Sequence, residues 1–178
     1  MSLQSTYSLQ PDLGFPGQLD RSRPFSTLTM KNTEASAQIR MGSAVKRNGA
    51  PTTDLDALLP VLETDKVLGL VVREDTYSRT YTGADGVTFG QLGADGLVPN
   101  TLFTCATVGR MLVHVRTGAT AGQGVWVRCT ANSGTEYLGS IENADDGTEM
   151  IDCTTQAKFV TSCAADGVAW IEFDFTNI

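Results

Sequence analysis

Four cysteines, one histidine and one acidic run, "NADDGTE" from Asn143 to Glu149, are the residues of this chain best suited to nucleophilic, acid–base or metal chemistry. Cys105, Cys129, Cys153 and Cys163 stand 24, 24 and 10 residues apart, and none forms the C-x-x-C pair that a zinc site builds on. "VWVRC" and "FVTSC" set Cys129 and Cys163 in apolar, strand-like contexts, where a reduced thiol packs as a small core residue. His114 lies between Val113 and Val115 on the strand face opposite the expected core, which makes it a surface or interface histidine rather than a catalytic base. The acidic run lacks the regular ligand spacing of a calcium loop and reads as an acidic turn. "GADG" occurs at Gly83 and again at Gly93, but without the Gly-Lys-Ser/Thr end of a phosphate-cradling loop these are turns. The chain is therefore expected to be no enzyme, with no catalytic residue, no metal site and no cofactor.

The elements that would carry these residues are strands. "NG" at Asn48 and "DG" at Asp85, Asp95, Asp146 and Asp166 supply turn residues between short runs rich in β-branched and aromatic side chains. Period-two alternation puts Val125, Val127 and Cys129 opposite Trp126 and Arg128. It likewise puts Met111, Val113 and Val115 opposite Leu112, His114 and Arg116, and Ala169, Ile171, Phe173 and Phe175 opposite Trp170, Glu172 and Asp174. "KFVTSCAADGVAWIEF" predicts a hairpin closed by Asp-Gly, and "ASAQIRMGSAVKRNG" and "KVLGLVVRE" predict two strands flanking a loop. In that loop "DLDALLPVL" has room for one helical turn before Pro60. The expected fold is mainly β, with less than about a tenth of its residues helical. It divides into an extended N-terminal arm (1–33), a small β-subdomain (34–76) and an antiparallel β-barrel or sandwich (77–178).

The 178 residues carry a net charge of −7, which argues against a nucleic-acid partner, because phosphate affinity comes from Lys and Arg. Residues 1–50 hold six Lys or Arg against three Asp or Glu, so a basic segment precedes an acidic body. No run approaches the length of a membrane span, and "MSLQSTYSLQ" lacks the charged start and apolar stretch of a signal peptide, so no membrane partner is expected. "LGFPGQLDRSRP" has no strand or helix period. It carries instead the parts of a clamp: Phe15 as apolar anchor, Pro16 and Gly17 to shape the chain, and Asp20, Arg21 and Arg23 as charged contacts. Such an arm is expected to be mobile in the free protein, to order on a partner, and to be dispensable for the stability of the body.

The order of features, "GFPGQLDRSRP", then "SAQIRMGSAVKRNG", "VLGLVVRE", "GLVPNTLFTCATVGRMLVHVRTGATAGQGVWVR" and a closing "AWIEFDF", resembles the structural cement, or capsid decoration, proteins of tailed bacteriophages. Gly14, Gly17 and Asp20, Gly42 to Val45, Gly69 to Val72, Val113 to Val115 and Gly124 to Val127 carry the likeness, with Trp126 where the family often has Tyr. The resemblance implies a virion protein on the outer face of an icosahedral shell, commonly a homotrimer, with the major capsid protein as its partner and no chemistry of its own. Independently of it, Leu112, Trp126 and Trp170 are large side chains on the faces opposite the core and are the candidate trimer contacts. The competing reading is a carbohydrate-binding or adhesin-type β module using Trp126, Trp170 and Tyr137 as an aromatic platform.

Overall fold

The computed structural model of the protein describes residues 14–35, 39–49, 55–74, 81–82, 88–89, 92–93, 96–130, 137–147 and 150–176. No helix occurs among them. The N-terminal half supplies β1 (Ser26–Asn32), β2 (Ala44–Arg47), β3 (Asp56–Leu58), β4 (Gly69–Val71), β5 (Tyr81–Thr82), β6 (Thr88–Phe89), β7 (Leu92–Gly93) and β8 (Gly96–Leu97). A long β9 (Leu102–Val115) follows, then β10 (Trp126–Arg128), β11 (Ile141–Glu142), β12 (Met150–Asp152), β13 (Ala157–Phe159) and β14 (Gly167–Asp174). Ten of these form one mixed sheet, while β5–β6 and β7–β8 are separate small hairpins that span the two "GADG" sites.

Two circuits of pairing share β9. In the first, β1 pairs with β3, β3 with β2, β2 with β4, β4 with β9, and β9 with β1 again. Met30, Val45, Ala57, Val71, Phe103 and Cys105, one or two from each strand, meet with Ile39, Leu59 and Leu97 in a core of their own. The second circuit runs from β9 through β11 to β10 and from β9 through β14 to β13. It is joined across the segment before β10, where Val125 N–H donates to the Ala157 carbonyl and Phe159 N–H to that of Gln123. Its core holds Met111, Val113 and Val115 of β9 with Val127, Ile141, Phe159, Ala169, Ile171 and Phe173.

One irregularity lets β9 serve both cores. Ser26 pairs with Val108 but Thr27 pairs with Ala106, so Thr107 has no opposite number and the strand carries a β-bulge. Before it, odd-numbered Phe103 and Cys105 point into the first core and even-numbered Ala106 into the second. After it, odd-numbered Met111, Val113 and Val115 point into the second. Gly109, with φ +148°, follows the bulge, and a Cβ there would sit 3.2 Å from the Cβ of Phe25.

The expected pairing of β13 with β14 forms, antiparallel, but residues 160–166 join the strands, and Asp166, with a left-handed φ of +54°, sits third in a turn that Gly167 N–H closes on the Ala164 carbonyl rather than in a two-residue Asp-Gly loop. Two further features differ from the sequence reading. Pairing is not purely antiparallel, since β1–β3 and β11–β9 are parallel. The stretch expected to make a helical turn supplies β3 instead, because Asp56–Leu58 fills the space between β1 and β2, and bonding to two strands outweighs weak local preference.

The loop after β3 is closed by Asp65, whose carboxylate accepts from Lys46 Nζ at 2.8 Å and from the N–H groups of Val61 and Leu62 at 2.8 and 2.9 Å. Burial alone would raise its pKa, but Lys46 and the two N–H donors more than offset this and leave it below the usual carboxylate value. A carboxyl with a lowered folded-state pKa stabilises the fold above its unfolded value of about 4, and that contribution is lost as pH falls through the folded value. Asp65→Asn is therefore expected to cost about 1–3 kcal/mol at pH 7. The gap from wild type should narrow in thermal melts near pH 3; a constant difference across that range would assign the loop's stability to other contacts.

Candidate functional site

The segment from Gly14 to Pro24 is held by main-chain bonds, and its composition explains the route it takes. Gly17 N–H donates to the Leu112 carbonyl at 2.7 Å, Leu112 N–H to that of Gln18 at 2.9 Å, and Asp20 N–H to that of Arg110 at 2.8 Å. Arg73 N–H donates to the Gly17 carbonyl at 2.7 Å, so the arm continues along the edge of β9 where β4 leaves off. Only glycine fits at position 17: its φ is +84°, and a Cβ would stand 3.0 Å from Arg73 N and 3.1 Å from Gly42 N. Leu19 bridges to Met111 and packs on the second core.

What the arm does not bury, it displays. Phe15 is 64% exposed, with the Arg73 guanidinium 4.6 Å from its ring centroid. Arg21 and Arg23 are exposed, and Pro16 is half-buried. Asp20 accepts from the Ser22 hydroxyl at 2.6 Å and its N–H at 3.0 Å; these bonds, with Arg110 and Arg23 adding, hold its carboxyl below the usual range. A cleft of about 660 Å³ runs beside the arm, lined by Phe15, Leu19, Arg21, Val72, Arg73 and Glu74.

Of the six arm residues expected to act together, Phe15, Arg21 and Arg23 are exposed, Pro16 and Asp20 half-buried and Gly17 buried, and two expectations fail. An arm with no period was expected to lack any means of burying itself, yet Gly17 to Asp20 find ladder partners on their own chain. Leu112, expected as a trimer contact, is fully buried. Alternation assigned its face correctly, but the arm lies over that face: a Cβ on Gly14 would come within 3.2 Å of Leu112 Cδ2. Trp126 and Trp170 are half-buried; Arg110 stands 5.8 Å from the Trp170 ring centroid, and Trp170 N–H donates to Thr161 Oγ1.

A charged network escaped the sequence reading. Arg128, expected on a partly wet face, is 1% exposed and reaches Glu142, Nε to Oε1 at 3.4 Å, and Asp146 through Nη2. Arg116 Nε lies 3.7 Å from the same Glu142 oxygen, and Thr117 Oγ1 donates to its Oε2 at 3.1 Å. The acidic run is therefore tied down by a buried guanidinium. Only the arginine in mid-strand at a position of mixed exposure hinted at it. Cys105, Cys129 and Cys153 are buried, none of them in a disulfide, and Cys163 is half-buried. Burial pushes the Cys105 thiol up to about 12, and burial with help from Asp152 does the same for Cys153.

The geometry shows a β body with a displayed, glycine-shaped arm, and the comparisons fit it. The family model described as "Structural cement protein (E217 gp24/Pam3 gp6)" matches residues 3–174, arm and body together. The chain belongs to this phage family. Its role is accordingly structural and capsid-associated. A chain from the structure titled "The capsid of Myoviridae Phage XM1" shares the fold, with a TM-score of 0.62 over 98% of each chain at 15% identity. No curated protein matches.

Two measurements check this part of the structure. Gly17→Val is expected to destabilise the protein by about 2 kcal/mol or more, through strain at positive φ and loss of the arm's seat over Leu112. An unchanged melting temperature would mean that the arm does not lie there. In native protein at pH 8 burial keeps the Cys105 and Cys153 thiols protonated. A thiol reagent should therefore label Cys163 well before either, and equal labelling rates would contradict the burial described.

Proposed function

We propose that this protein binds the outer surface of an icosahedral phage shell and cements neighbouring major capsid subunits, acting as a homotrimer and catalysing nothing. The observation that carries the reading is the family match over residues 3–174, which includes an arm that holds its main chain against the body while presenting Phe15, Arg21 and Arg23 outward. Phe25, Leu28 and Leu102, on the continuation of the arm and the adjoining start of β9, are also exposed. Phe15 supplies apolar area and Pro16 lowers the entropy lost on docking. Exposed ion pairs from Arg21 and Arg23 are each worth about 1 kcal/mol or less and serve register more than affinity. Trp126 and Trp170 remain the candidate contacts between copies.

The sugar-binding alternative draws less support. A stacking platform needs a bare ring face, and the guanidinium of Arg40 sits 3.7 Å from the centroid of Tyr137.

Binding of purified protein to phage shells stripped of it tests the reading. Deleting residues 1–16 removes Phe15 but spares the Gly17–Asp20 ladder, so the body should stay folded, its melting temperature lowered only by the uncovering of Leu112, while shell binding is largely lost. Phe15→Ala should weaken binding more than Arg21→Ala at moderate salt. Light scattering should give the mass of three chains. Undiminished binding by the truncated protein would remove the arm from the mechanism, and a monomeric mass at tens of micromolar would remove the trimer.

A further inference from the structure

The place that the arm takes on β9 is a built site, and its shape specifies its occupant. The Arg110 carbonyl and both main-chain groups of Leu112 offer a ladder to an added strand. Where that ladder begins, the occupant must take a φ of +84° and lack a Cβ, which would stand 3.0 Å from Arg73 N and 3.1 Å from Gly42 N. Two residues further on it must supply an apolar side chain that packs on the second core, as Leu19 does beside Met111. Gly17-Gln18-Leu19 meets both demands, and a segment without such a glycine is excluded by the cradle itself.

The link from the arm to the rest of the chain makes no comparable demand. Cys105 pairs with Leu28 of β1 and with Val71 of β4, so these strands lie on opposite edges of β9, and the arm is on the β4 edge. Residues 21–25 therefore cross over β9, passing Gly109, where a Cβ would stand 3.2 Å from Phe25 Cβ and 3.3 Å from Leu19 Cδ1. All five are exposed. Among the described residues their hydrogen bonds are local: the Ser22 N–H and hydroxyl and the Arg23 N–H all donate back to Asp20. A demanding site is thus filled by a segment whose tether is fixed to nothing.

We propose that in the assembled protein residues 14–20 of each copy exchange onto β9 of the next; this rests on the homotrimer reading above. Every contact made at β9 is the same whichever copy supplies the arm, so exchange sacrifices none of the site's bonds. Within an oligomer the neighbouring site stands at high effective concentration. The exchange runs head to tail, and three such steps close a ring with every site filled and every arm placed. Copies are then laced together by main-chain hydrogen bonds, and Phe15 is displayed at the border between two of them.

The test uses full-length chains. Leu19→Cys is placed in one chain and Met111→Cys in another, since these residues face each other across the ladder. Produced together in one cell and oxidised with glutathione disulfide after purification, they should yield unlike chains joined covalently. Neither chain alone should do so, and adding Gly17→Val to the Leu19→Cys chain should abolish the joined product. If the mixture stays unjoined while the double variant closes its bond within one chain, the arm serves only its own β9 and the proposal fails. Joining that survives Gly17→Val marks random collision and equally overturns it. Should either variant not fold, wild-type protein refolded from equal parts of isotope-labelled and unlabelled chains decides: a Leu19–Met111 contact between labelled and unlabelled chains supports exchange, and contact within labelled chains alone refutes it. A trimeric mass without joined chains leaves the trimer and removes the exchange; joined chains with the mass of two remove the trimer and leave the exchange.

Discussion

Everything in this molecule hangs on β9, a single strand that walls two hydrophobic cores at once. A regular strand can give each of its faces to one core, but its odd-numbered side chains cannot serve the first core along one half and the second along the other, because its alternation has a period of two. The bulge at Thr107 makes the change. Without the extra residue, Met111, Val113 and Val115 would turn away from the second core and Arg110, Leu112 and His114 would turn into it. Edge pairing follows the same division: β1 lies along the first part of β9, β14 along the second, and the arm continues the edge begun by β4.

Much of this was written in local pattern. The alternation of β14, the turn at Asp166 and the odd-numbered core face of the second half of β9 were all legible, because each depends on neighbours in sequence. What was not legible depends on neighbours in space. Nothing near Asp56 announces a strand, since Asp56–Leu58 pairs with Lys31 and Asn32 of β1 and with Lys46 and Arg47 of β2, far off in sequence. The burial of Leu112 required knowing that a segment almost a hundred residues earlier would lie across it. The bulge itself occupies "ATVGR", whose Gly109 was visible but whose shift of register was not. Candidate arm residues were found by composition alone, and composition could not say that the same residues would be half structural.

In the docking proposed above, that double duty would shape how the protein meets a partner. Gly17, buried and fixed by three neighbouring chain segments, sits two residues from Phe15, which is largely in solvent. An anchor so close to a rigid point has little freedom to lose on docking, and this lowers the entropic cost of association. The buried Arg128–Glu142 pair does similar work at the acidic run: a desolvated pair is costly to make but strongly resists being broken. In both places the sequence places constraint next to display.

The arm's ladder on β9 also has a mechanical meaning. Its bonds at Gly17, Gln18 and Asp20 all run to Leu112 and Arg110 on one strand, side by side and roughly perpendicular to the arm. A pull along the arm, of the kind a displaced neighbour would exert, loads these bonds together in shear. A pull away from the sheet opens them one after another, as a zipper opens. The same few hydrogen bonds thus form a strong joint against sliding and a weak one against lifting, and the direction of an applied force, rather than its size alone, decides when the arm lets go.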